Sequence, residues 1–106
     1  MKIVEDLKEM MGSDYQSLIR IYLEDSPKLI YQIQSALDNR DCQALVAPAH
    51  TLKSSSANLG ALALSSIAKT IEKSAGSGDI HAPLQAGAGI TAEFERVQAA
   101  LAALIA

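Results

Sequence analysis

Apolar residues return every three or four positions along most of the chain, and that spacing restricts it to packed helices. Tyr15, Leu18, Ile19, Tyr22, Leu23, Leu29, Ile30, Ile33 and Leu37 hold the period through one long segment. Leu64, Ile67, Ala68, Ile71 and Ala75 hold it through a second, and Ile90, Phe94, Val97, Leu101 and Leu104 through a third. Few stretches alternate with period two. Only 4% of the residues are aromatic and none is Trp, while Ala, Leu and Ile dominate, which favours helix over sheet.

Punctuation residues divide this pattern into five helices. A short first helix over Ile3 to Met11 stops at Gly12, and Ser13 with Gln16 forms a capping box for the second. Pro27 removes one backbone donor from that long second helix and is expected to kink or divide it. Asn39-Arg40-Asp41 reads as a turn. Asp41 then caps a third helix that runs to about Leu59, with Gly60 in the C′ position. Gly76-Ser77-Gly78-Asp79 separates the fourth helix from a fifth that begins near Pro83. Gly87 and Gly89 weaken the first half of the fifth by roughly 1 kcal/mol each relative to Ala. Amphipathic helices joined by short turns predict an all-α fold, an antiparallel four-helix bundle capped at one end by the short N-terminal helix. With no repeat and no long linker, 1–106 reads as one domain.

Composition removes several function classes. A net charge of −3 without any basic run speaks against nucleic acid as a partner. Cys42 is alone, so it forms no internal disulfide and no thiolate metal site, consistent with a reducing cytoplasmic setting. Glu5 and Asp6 come too early for a signal peptide. The longest apolar run, near Ala99 to Ala106, is about half of the ~20 residues a membrane span needs, so no direct membrane contact is expected. Gly76-Ser77-Gly78 lacks the Lys-Ser/Thr of a phosphate-binding loop, so no ATP site is expected. Glu72, Asp79 and His81 lack the spacing of a metal motif, and His81 reads as a solvated loop residue.

The third helix carries the chemistry. At ~100° per residue, with His50 at zero, Leu45, Leu52 and Leu59 fall on the far side and form the buried stripe. Val46, Lys53, Ser54 and Ala57 lie within ~60° of the imidazole. His50 therefore faces solvent beside a cation and a patch of small residues. A neutral imidazole offers a nitrogen lone pair that can attack phosphorus. Lys53 can set an ammonium beside a phosphoryl group, and the small residues leave clearance for a partner. A solvated helical His with a surface Lys fits the same spacing, and Ser54-Ser55-Ser56 fits hydroxyls bonded back to carbonyls. Geometry permits phosphoryl chemistry without selecting it. Pro48, at ~160° from His50, faces the core and crowds the turn at Ala44.

The string His50-Thr51-Leu52-Lys53-Ser54-Ser55-Ser56-Ala57-Asn58-Leu59-Gly60 resembles the signature of histidine-containing phosphotransfer (HPt) domains, His-x-Leu-Lys followed by small residues and Leu-Gly. The likeness extends to Leu23-Glu24-Asp25-Ser26-Pro27 in the preceding helix and Ile71-Glu72 in the following one. It implies that His50 is phosphorylated at Nε2, that Lys53 steadies the phosphoryl group, and that the fold is a four-helix bundle with an appended helix. Ser54 departs from the Gly most common at that position. The implied partners are response-regulator receiver domains, which supply the Mg²⁺, and the kinase core of a parent hybrid sensor. This chain would itself need no cofactor or metal, would have no kinase activity, and would act as a cytoplasmic monomer, free or as part of a membrane-bound sensor. Val46, Ser54 and Ala57 are the expected docking residues, and Lys69 and Lys73 could add positive potential nearby. A helical interaction module using the same face without phosphotransfer is the alternative. A metal- or cofactor-bearing bundle would need inward His/Glu pairs, and none is visible.

Overall fold

The structure, a computed structural model, describes residues 15–105. Five helices follow one another: α1 Tyr15–Asp38, α2 Cys42–Asn58, α3 Leu62–Gly76, α4 His81–Gly87 and α5 Ile90–Ile105. No strand occurs among the described residues. The helix expected over Ile3 to Met11 and the Ser13 cap lie outside them.

The four long helices form the antiparallel bundle that the spacing predicts. α1 packs on α2 and α5, and α3 packs on the same two, leaving α1 and α3 on one diagonal. Short α4 touches α1, α3 and α5. The bundle measures 41 × 19 × 19 Å, close to the ~36 Å expected for a 24-residue helix. Its axis is filled by Ile19 and Ile33 of α1, Leu45 and Leu52 of α2, Leu64 and Ile71 of α3, and Ile90 and Leu101 of α5, all fully buried. Tyr22 leans toward Phe94 with ring centroids 6.4 Å apart. Its hydroxyl shares a 2.8 Å hydrogen bond with Ser56 Oγ, tying α1 to α2 inside the core. Burial pushes the Tyr22 phenol above its ordinary pKa, despite the hydrogen bonds of Ser56 and Ser26.

Each turn is built by the residue that stops a helix. After α2, Gly60 takes φ 79°; its N–H reaches Ala57 O at 3.0 Å and that of Ala61 reaches Ser56 O at 2.9 Å. Gly78 repeats the arrangement after α3 with φ 84°. At both positions a side chain would meet the steric penalty of the left-handed region. At the start of α2, Asp41 Oδ1 accepts the Ala44 N–H at 3.1 Å, the cap anticipated from the sequence.

Of the two outcomes open at Pro27, division does not occur, and the boundary of the last helix needs correction. Pro27 does not divide α1, which runs unbroken from Tyr15 to Asp38. Tyr22 and Ser26 before it and Ile30 after it are buried on one face, and that shared packing holds the helix across the missing donor. The last helical segment is not continuous from Pro83. It starts at His81, ends at Gly87 and resumes at Ile90. Gly87 is buried against Leu37, and Gly89 adds no packing of its own, so the weak stretch opens there. Pro48, by contrast, is buried within an uninterrupted α2.

Candidate functional site: the exposed face of α2

Leu45, Leu52 and Leu59 are 0%, 0% and 1% exposed, so the stripe that rotates α2 inward is the one read from the sequence. Opposite it, the His50 side chain is 59% exposed. Ser54 and Ala57 are open to solvent beside it, while Val46 is half-buried and packs partly on the core. These residues do share one face.

Lys53 lies on this face too, but its ammonium is not free. Its Nζ pairs with Glu72 Oε1 at 2.7 Å. The other oxygen, Oε2, accepts the His50 Nδ1–H at 2.6 Å. One carboxylate from α3 therefore bridges the imidazole and the ammonium, which stand one turn apart on α2. The hydrogen bond from Lys53 holds the Glu72 carboxyl below the ordinary glutamate range against some desolvation, with His50 adding to the shift. An ionised carboxylate only accepts, so the proton of a neutral His50 sits on Nδ1. The Nε2 lone pair is left for chemistry. The bridging carboxylate also faces any positive charge that develops on the ring.

Local packing sets this meeting. Ser65 Oγ donates to the Lys53 carbonyl at 2.8 Å, fixing α3 against the middle of α2. Glu72 follows Ser65 by two turns on the same flank of α3, and the antiparallel course brings it level with His50. In the sequence, Glu72 stands out only within the family resemblance and as a carboxylate without metal-motif spacing. Its usable signal was the seven-residue spacing from Ser65 beside the buried stripe of Leu64, Ala68 and Ile71.

On the other side of the imidazole, a groove opens between α1 and α2. Leu18, Ile21 and Leu29 line one wall, and Thr51, Ser55 and Asn58 the other. Lys69 and Lys73 are exposed on α3 and take part in no ion pair among the described residues. The His81 backbone N–H donates to Asp79 Oδ1 at 2.9 Å at the start of α4. Among the described residues, no helix is long and apolar enough to cross a membrane.

A family model described as the Hpt domain matches residues 17–105. The fold is similar to the crystal structure of histidine-containing phosphotransfer protein B (HptB) from Pseudomonas aeruginosa PAO1. The TM-score is 0.82 and the identity 29%, over 94% of this chain and 87% of that one. No curated protein matches the chain significantly.

Proposed function

The chain belongs to the Hpt domain family, the phosphotransfer modules of two-component signalling, and from that premise we propose that it is a phosphorelay intermediate working through His50. It accepts a phosphoryl group from the phospho-aspartate of one receiver domain and passes it to the aspartate of another. The observation that supports this reading is the pairing of His50 Nδ1 with Glu72 at 2.6 Å, with the ring otherwise exposed.

The chemistry balances without moving a proton. The Nε2 lone pair forms the N–P bond as the P–O bond of the acyl phosphate breaks, and the aspartate carboxylate leaves with the electron pair. Nδ1 keeps its hydrogen, so the ring becomes a phospho-imidazolium, and the Glu72 carboxylate offsets that charge. Lys53, already at the site, shares its ammonium between Glu72 and the phosphoryl oxygens. The acidic pocket and Mg²⁺ belong to the receiver; this chain contributes a positioned nucleophile and a surface. That surface comprises Val46, Ser54 and Ala57 around His50 and the apolar wall of Leu18, Ile21 and Leu29 on α1. The chain acts in the cytoplasm as a carrier without kinase activity of its own.

Transfer of labelled phosphate from a phosphorylated receiver tests the assignment. The parent chain is expected to gain acid-labile, base-stable label, and His50→Gln to gain none while melting like the parent, since exposed substitutions usually move stability by less than ~0.5 kcal/mol. Such label on His50→Gln would overturn the assignment.

A further inference from the structure

Among the described residues the exposed large hydrophobics are Ile21, Tyr31 and Leu62, at 56%, 74% and 69%. Two of them stand on α1. At ~100° per residue, Ile21, Glu24, Lys28 and Tyr31 fall within an arc of ~80°. The middle of that arc points directly away from the buried residues Ile19, Ile30, Ile33 and Leu37. Their spacing of three, four and three is that of a helix-pairing seam. Among the described residues nothing covers it.

The stripe is also self-complementary. When two copies of α1 run antiparallel and cross at residue 26, Ile21 of each meets Tyr31 of the other, and Glu24 of each meets Lys28 of the other. A parallel pairing would instead set like charges together. Glu24 and Lys28 are one turn apart, and neither enters an ion pair among the described residues. Ser17 and Ser35, at the next positions outward, are small enough to let the helices approach. We propose that this outer face of α1 pairs with the same face of a second copy, forming a two-fold antiparallel dimer. This differs from the monomer implied by the family resemblance. The seam is short, with two hydrophobic anchors per copy, so the contact belongs to the small end of specific interfaces and the dimer dissociates readily on dilution. Ile21 also lines the groove beside His50 that is assigned above to receiver docking, so a second copy and a receiver would compete for that side chain.

Sedimentation equilibrium of the full chain, from micromolar to about millimolar concentration, tests it, with circular dichroism melts to check the fold of each variant. The parent is expected to self-associate. Glu24→Lys and Lys28→Glu each set like charges opposite one another and should weaken the dimer about tenfold or more. The double variant Glu24→Lys/Lys28→Glu should recover it, because the pairing is antiparallel and the complementarity returns. A parent that stays monomeric throughout overturns the proposal. So does a dimer indifferent to the single reversals, or a double variant that fails to recover.

Discussion

Glu72 on α3 accepts the Nδ1–H of His50 on α2 at 2.6 Å, joining residues 22 positions apart across two helices. This contact decides which ring nitrogen is free, and it places an anion where the phosphorylated ring would carry positive charge. Glu72→Gln keeps an acceptor but loses the charge, and Glu72→Ala loses both. The expected outcome is slower acceptance of phosphate, about tenfold for Gln and more for Ala, since tenfold corresponds to about 1.4 kcal/mol. Nitrogen chemical shifts of His50 should show a mixed tautomer in Glu72→Ala. Parent-like rates with an unchanged Nδ1–H tautomer would remove Glu72 from the site.

Lys53 acts through two neighbours, because its Nζ is 2.7 Å from Glu72 Oε1 and close enough along α2 to reach a group on His50. Lys53→Ala should cost on the order of 1–2 kcal/mol of charge-assisted contact, about one power of ten in transfer rate, without unfolding the bundle. Lys53→Arg should lose less. Transfer rates with one receiver at matched salt, together with the lifetime of the phosphohistidine, measure this.

The same bridge predicts a pH dependence. Lys53, and secondarily His50, hold the Glu72 carboxyl below its ordinary range in the folded chain. A group lowered in this way stabilises the fold fully above its unfolded value, about 4.3. The contribution disappears as pH falls through the lowered folded value. Below about pH 5, urea midpoints of parent and Glu72→Gln should therefore draw together as the pH falls, and they should converge once it has passed below the lowered value. A gap that widens on acidification would mean that the carboxyl is raised instead.

Leu52 is 0% exposed, opposite His50 on the same helix. Leu52→Ala should cost ~2–5 kcal/mol in chemical denaturation, against under ~0.5 kcal/mol for His50→Gln. Equal losses would mean that α2 is rotated from the orientation described.

That rotation was legible in the sequence because Leu45, Leu52 and Leu59 repeat every seven residues, so burying the stripe turns His50 outward. Asp41 and Gly60 likewise marked the ends of α2 through local backbone chemistry alone. Glu72 was not legible as a partner of His50. Its place depends on how α3 is set against α2, which the Ser65–Lys53 contact and the shared burial of Leu64 and Leu52 in one core determine only once the bundle has formed. That α1 continues past Pro27 was not legible for a related reason: the local cost of a missing donor was clear, but the tertiary packing of Tyr22, Ser26 and Ile30 that keeps the helix unbroken was not.

The break between α4 and α5 gives the last prediction. A Cβ at Gly87 would overlap Cδ1 of Leu37, whereas one at Gly89 would meet nothing within 4 Å. Neither glycine has positive φ, so alanine fits the backbone at both. Gly89→Ala should reduce the freedom of the unfolded chain and favour helix across the break. The expected gain is about 0.4–1 kcal/mol, or roughly 2–6 °C in Tm for a chain of this size. Gly87→Ala would receive the same gain, but Leu37 is only 5% exposed and its displaced methyl has little room to move. Overpacking of about 1–3 kcal/mol should cancel the gain or exceed it. Thermal melts should therefore rank Gly89→Ala above the parent and Gly87→Ala at least ~1 kcal/mol below Gly89→Ala. If the two variants melt together, the close approach of α4 to α1 at Leu37 does not hold that break in place.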